Sequence, residues 1–488
     1  MTALPEARTL AWNAVMSASP GPLDLVVEAS RIDGAVPHAL RGGRLLSNGP
    51  GWTHIGGRLA HPFDGHGYVR AFEFQADGSL RLRARFVRTP AYVSEAAAQR
   101  LTHRGLGTNV GDHFWQNLFP RTGPRNVANT TIVRWNGRLL AGWEGGAPYG
   151  VDADSLETLG EETFSGALAG QATLAHFKHD VALGRLVSCS VAMGPATTLT
   201  FREFDAGGRL VHTRVAKLPS TLFAHDFVLT PNWYVLASNP LTLKWGTLAK
   251  SMLGGATLMD AIASDGSAPG AVYLVPRTSD APVRTVALPG RAFVVHYGNA
   301  FERDGAVHLD ACLFHDFAFG AEFGFQGPHA PLDPRLPDAR APQRLFRIEV
   351  PANATSATWR QLAPHGVDFP RVHPDHEGRP TPVLFGATRA DTRFSDPFDS
   401  VLRVDLTDFG RQPKVWTPGG GAFVGEPIFV PSPERDEAGH VLVVVSDGAV
   451  GRSTLVVLDA AQVEAGPVAQ VPLPLLPYAF HGAWDRPN

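Results

Sequence analysis

Val441-Leu442-Val443-Val444-Val445 runs into the turn pair Asp447-Gly448. A short β-branched run stopped by a glycine turn is the unit from which the rest of the chain is read. Ala271-Val272-Tyr273-Leu274-Val275 and Phe227-Val228-Leu229 have the same build, and Asp205-Ala206-Gly207-Gly208 and Asp304-Gly305 punctuate in the same way. Such runs between turn signals are strands, and many in series make an all-β sandwich, barrel or propeller. The 51 glycines and 40 prolines are spread evenly, without a composition break to mark a linker, so residues 1–488 are expected to form one domain. No repeat period separates the three architectures: Trp484-Asp485 is a single tryptophan–aspartate pair, not a propeller signature. One stretch reads differently. Residues 247–263 carry Leu248, Met252, Leu258, Met259 and Ile262 at helical spacing, with a weak point at Gly254-Gly255. It is either an ordinary packed helix or an exposed apolar segment that touches a membrane or a lipid-like substrate.

Composition excludes several classes. Lys+Arg 43 against Asp+Glu 46 lacks the basic excess of a nucleic-acid binder. The N-terminal residues have charges and no apolar core of a secretory signal, and no apolar run is long enough to span a bilayer, so a cytoplasmic location is expected. Cys189 and Cys312 lie in apolar strand-like runs and read as buried free thiols. The serine-hydrolase elbow, the phosphate-binding loop and the His-Glu-x-x-His zinc motif are absent. His373-Pro374-Asp375-His376 looks like a metal pair, but its proline makes it a surface loop.

Of the 19 histidines, four follow apolar residues and would enter from strand ends or buried turns: His176, His225, His296 and His481. Neutral imidazole is the commonest metal ligand, yet each of these taken alone also fits a hydrogen-bonded core histidine. Their long separations lack the local spacing of a zinc finger. Glu144, Asp368 and Glu426 stand in apolar or Gly/Pro-rich surroundings, where a buried carboxylate needs a partner such as the second N–H of a metal-bound imidazole.

In order along the chain stand Leu45-Leu46-Ser47-Asn48-Gly49-Pro50-Gly51, His61-Pro62-Phe63-Asp64-Gly65-His66-Gly67, Asn126-Val127-Ala128-Asn129-Thr130, Trp143-Glu144-Gly145-Gly146, His225-Asp226-Phe227-Val228-Leu229-Thr230, Phe369-Pro370-Arg371, Glu426-Pro427-Ile428-Phe429-Val430-Pro431 and Phe480-His481-Gly482. In this order the chain resembles the carotenoid cleavage oxygenases, most closely the bacterial apocarotenoid-type members. The resemblance implies a seven-bladed β-propeller with a cap of loops and short helices over one axial Fe(II). It implies His176, His225, His296 and His481 as ligands, with Glu144 holding His225, Asp368 holding His296 and Glu426 holding His481. Thr130 falls where a methyl group crowds one coordination site. The implied reaction splits a C=C bond of an apolar, apocarotenoid-like polyene with O₂ into two carbonyls. No nucleic acid or obligate protein partner is implied, but residues 241–259 are the candidate for a substrate mouth resting on a membrane face. Stilbene or phenylpropenoid cleavage is the alternative within enzymes, an isomerase is a further one, and a non-catalytic binding propeller lies outside them. Two departures stand out. Asp368 replaces the family's usual Glu, shortening the reach by about 1.5 Å, so its bond to His296 is expected to need a water or a backbone shift. Tyr297 replaces a frequent second histidine.

Overall fold

The Val441–Val445 run lies inside the strand Arg435–Asp447, which turns back antiparallel onto Arg452–Asp459. The computed structural model describes residues 6–118, 125–194, 196–264, 268–314, 343–390, 397–432 and 435–486. Period-two burial shapes its strands: in Leu80–Phe86, Leu80, Leu82, Ala84 and Phe86 are buried while the arginines between them are half-exposed.

Consecutive antiparallel strands form seven blades. The second is Thr131–Trp135, Arg138–Gly142, Tyr149–Val151 and Thr158–Glu161; the third and fourth start at Lys178–Asp180 and Val228–Leu229. The fifth runs from Phe293–Arg303 to the long strand Thr358–Arg371. The N-terminal part of that strand closes the fifth blade, and its last residues pair with Val383–Thr388 to open the sixth. The seventh holds Ile428–Ser432, Arg435–Asp447, Arg452–Asp459 and Pro467–Pro474, with Asp33–Gly34 on its outer edge. The first blade is made from both ends of the chain: His481–Asp485 pairs with Arg44–Asn48, followed by His66–Phe74 and Leu80–Phe86. These two exchanges, at the inner edge of the first blade and the outer edge of the seventh, close the ring.

Apolar faces of adjacent blades supply the core. Phe72, Phe74 and Leu82 of the first blade pack with Leu442, Leu455 and Val457 of the seventh. Each such side chain contributes about 1.5–3 kcal/mol when buried. The helix Glu6–Ser17 lays Trp12 edge-on against Phe423 and Tyr478. The helices Pro90–Ala98 and Phe114–Asn117 belong to the connection between the first and second blades, and Trp245–Met252 to the excursion between Trp233–Ser238 and Ala271–Pro276 within the fourth.

The helix expected over 247–263 is shorter than its apolar spacing suggests. It ends at Met252, and the chain continues as a 3₁₀ turn Met259–Ala261 and a strand Ile262–Ser264 paired with Leu241–Leu243. Gly254 explains the break: it sits at φ 76°, and its carbonyl accepts from Asn117 Nδ2 at 2.9 Å. Both cysteines are buried and free.

Candidate metal centre

Six blades meet at one place on the axis through residues at or just before their innermost strands. His176 precedes Lys178–Asp180, His225 precedes Val228–Leu229, His296 lies within Phe293–Arg303, and His481 opens His481–Asp485. Asp368 stands where the sixth blade begins, and Glu426 precedes Ile428–Ser432 of the seventh. The second blade brings Glu144 close, just after Arg138–Gly142, and Thr130 precedes its first strand. Two of these positions are made by bulges. The register of the fifth blade shifts on both sides of Tyr297, beside His296. The sixth shifts between Asp368 and Arg371, where Phe369 adopts φ 52°. Bulges re-aim side chains, and here they turn groups toward the axis.

The four histidines are buried, and one nitrogen from each lies within 4.8 Å of the others. The Nε2 atoms of His176 and His225 are 3.1 Å apart, and those of His225 and His296 are 3.2 Å apart. On the far side of the rings, His225 Nδ1 meets Glu144 Oε1, His296 Nδ1 lies 2.7 Å from Asp368 Oδ1, and His481 Nδ1 lies 2.9 Å from Glu426 Oε1. The expectation that Asp368 would need a water or a backbone shift is resolved by geometry: the contact is direct, and the bulge at Asp368–Arg371 brings the shorter side chain within reach. Tyr297 turns its hydroxyl away from the centre to Ala237 N, 2.6 Å away.

Donating Nδ1–H to a carboxylate leaves Nε2 as a lone pair. Three of the four rings therefore aim lone pairs at a common point, where hydrogen bonding among them cannot satisfy them and a cation can. Burial keeps His176, His225 and His481 neutral, their pKa values falling below the ordinary histidine value. Burial also opposes a charge on His296, but Asp368 outweighs it and raises its pKa. Burial alone would raise the Glu426 carboxyl, yet Arg371, forked onto it at 2.9 and 2.8 Å, and His481 hold it at about 2. Three carboxylates against the single Arg371 leave two negative charges, the complement of one divalent ion. Nitrogen donors of this kind suit iron, zinc or copper rather than calcium or magnesium.

Two cavities meet at the histidines. One is walled by Phe63, Trp143, Val295, Phe369 and Phe480 beside His225, His296 and His481, with Thr130 on its edge. The other mixes charged groups, Lys178, Arg371, Asp375 and Glu377, with apolar ones such as Phe177, Leu229 and Phe429, and touches His176 and His481. His373-Pro374-Asp375-His376 borders this second cavity as a 3₁₀ turn, outside the histidine cluster.

A family model described as retinal pigment epithelial membrane protein matches residues 20–486. The chain belongs to this family, that of the carotenoid cleavage oxygenases. The apocarotenoid-15,15'-oxygenase of Synechocystis sp. is 31% identical over 467 residues, covering 93% of this chain and 92% of that one. An isoeugenol monooxygenase of Pseudomonas nitroreducens is 27% identical, covering 93% of each. The solved structure of cobalt-substituted Synechocystis apocarotenoid oxygenase superposes with a TM-score of 0.90 at 30% identity over 98% of both chains. The seven-bladed propeller of the carotenoid cleavage oxygenases is thus the fold of this chain.

The residue motifs gave no role to Arg371, Asp226 or Lys178. Arg371 forks onto Glu426 and also reaches the Gly482 carbonyl at 2.9 Å. Lys178 pairs with Asp226 at 2.9 Å. For Asp226 and Lys178 the available signal was a charged residue within two positions of a histidine in an apolar run; Arg371 stands near none of the four.

Proposed function

We propose that the protein is a non-haem Fe(II) dioxygenase that cleaves a C=C bond of an apocarotenoid-like polyene with O₂ into two carbonyl products. The carrying observation is the convergence of four Nε2 atoms, three backed by carboxylates, beside a cavity walled by aromatic and aliphatic side chains. His176, His225, His296 and His481 hold one iron per chain, and Glu144, Asp368 and Glu426 fix the rings that face it. Bound Fe(II) supplies the activation of O₂. The chain does the rest: Phe63, Phe369 and Phe480 grip the polyene and exclude water, and the Thr130 methyl narrows the space beside the histidines. A general base is not required, and every carboxylate near the cavity is already committed to a histidine.

The apolar substrate favours entry from a membrane. On the helix Trp245–Met252 and just beyond it, Trp245, Met252 and Leu253 are 66%, 74% and 61% exposed, beside Phe114 and Trp115 of the helix to which Gly254 is bonded through Asn117. Lys244 and Lys250 flank this face, an amphipathic arrangement suited to an anionic bilayer surface. Peripheral contact there needs no spanning segment, and among the described residues no helix is long and apolar enough to cross a membrane. We take residues 1–488 to work as one unit.

One observation favours the second reading, cleavage of a hydroxylated stilbene or phenylpropenoid. Trp143 Nε1 is a buried donor without a partner among the described residues, on a residue of the cavity wall, and a phenol oxygen would satisfy it. The test supplies the Fe(II)-loaded protein under O₂ with an all-trans apocarotenal and, separately, a 4-hydroxystilbene. Shortened aldehydes from the apocarotenal support the main reading and locate the cut. Aldehydes from the stilbene alone transfer the function to the second. An unchanged carbon count would mean isomerisation, and no product from any substrate a binding propeller.

A further inference from the structure

Three of the four histidines have a carboxylate directly on Nδ1; His176 does not. Among the described residues its nearest carboxylate oxygen is Asp226 Oδ1, at 3.9 Å from Nδ1. That is beyond a hydrogen bond. Asp226 is nevertheless buried, at 3% exposure, and held from several directions. Lys178 Nζ lies 2.9 Å from Oδ1, Phe227 N donates to Oδ1 at 2.8 Å, and Tyr297 N donates to Oδ2 at 3.2 Å. Tyr297 is itself anchored to the fourth blade through Ala237. A carboxylate is thus fixed by the third, fourth and fifth blades within a water's span of the one ring of the four without a carboxylate on Nδ1 among the described residues. The ring and Lys178 both border the second cavity on the axis, so a water can approach the ring from that side. Polar groups separated by more than about 3.5 Å in such a place are commonly bridged.

We infer that Asp226, held by Lys178, is the positioning residue for His176, orienting its ring through a water of the axial cavity. The inference rests on the four-histidine reading above. Because Lys178 cancels the charge of Asp226, the pair orients His176 without altering the two negative charges left by the other carboxylates and Arg371. His176 is then the most loosely held of the four, and the cavity that borders it is the side on which the metal centre is most easily opened.

The experiment compares Fe(II) affinity, by anaerobic chelator competition, and the d–d spectrum of the Co(II)-loaded protein in wild type, Asp226→Asn and Lys178→Met. Outer partners of ligating histidines are typically worth 10–100-fold in metal affinity. A bridged partner belongs at the lower end, so Asp226→Asn should weaken binding roughly tenfold. It should also shift the Co(II) bands while leaving the melting temperature of the metal-free protein close to wild type. Lys178→Met keeps the aliphatic stem and should give a smaller loss with the same direction of band shift. Should Asp226→Asn fail to fold, Lys178→Met carries the test alone. Unchanged affinity and bands in a folded variant overturn the inference and leave the four-histidine site standing. A loss of melting temperature without a band shift overturns it too, showing a purely structural ion pair. If wild type itself binds no metal, both readings fall.

Discussion

Beneath the helix Pro90–Ala98, the fully buried Glu95 receives Arg125 Nη1 at 2.6 Å, His66 Nε2 at 2.8 Å, and the backbone N–H groups of Thr102 and His103 at 2.9 and 3.1 Å. Arg125 spends its remaining donors on the carbonyls of Asp64 and His103. Charge meets charge, and these donors converge on the one carboxylate. On the propeller axis the polar density is similar, but three of the four outer nitrogens are paired with carboxylates while the inner Nε2 atoms face one another. Burial of ionisable groups is common to both clusters and therefore does not mark a site. The difference is direction: the first cluster turns its donors inward onto Glu95, with only His66 Nδ1 left without a partner among the described residues of that cluster, and ties the 61–64 turn, the helix and residues 102–103 together, whereas the second is paired mostly outward and leaves convergent donors.

The contrast is broken most severely by His296→Ala. Metal content measured by atomic emission should fall from one per chain to near zero, with an affinity loss beyond the 10–100-fold that an outer partner costs, while the protein stays folded. A variant that kept one tightly bound iron would remove His296 from the site. Glu95→Gln attacks the other cluster. Leaving Arg125 buried without its carboxylate should cost about 3–5 kcal/mol of stability in chemical unfolding, with the folded fraction still binding one metal; a loss of metal instead would couple the clusters. Asp368→Asn should weaken Fe(II) binding 10–100-fold. Asp368→Glu should also weaken it, although Glu is usual in the family, because the bulge already sets Asp368 at 2.7 Å from His296. Tighter binding in Asp368→Glu would contradict that geometric account.

A further effect is a pH slope in the metal-free protein. Burial holds both His61 and His66 down at about 4, below the ordinary 6.5. Between those values the unfolded chain binds protons that the folded chain does not, so stability must fall as pH falls from 6.5 toward 4. At pH 5 the loss is about 2 kcal/mol per group. Urea midpoints at pH 7.5 and 5 should show it, and His66→Gln should reduce the difference; an unchanged slope would assign the effect elsewhere.

The all-β class was legible because β-branched runs and glycine turns are local signals, as in Val441–Val445. Blade number was not, since no period repeats and the long strand Thr358–Arg371 serves two blades; the family resemblance provided it. The ligand histidines were visible only as histidines in apolar runs. Each blade donates at most one of them, so their spacing follows blade length rather than coordination geometry. Asp368 shows the limit on another scale: its reach depends on a bulge and a positive φ at Phe369 that no residue pattern announced. The same holds for the C-terminal end. Because His481 opens the strand that pairs with Arg44–Asn48, deleting the last ten residues removes ring closure together with the histidine, and the point variant His481→Ala is the cleaner probe of the ligand.

The central claim is tested most directly by anomalous diffraction at the iron edge on crystals of the Fe(II)-loaded protein. The account predicts one peak per chain, bonded to Nε2 of His176, His225, His296 and His481. A peak at any other site, or no peak among these four rings in a folded and iron-treated protein, would contradict it.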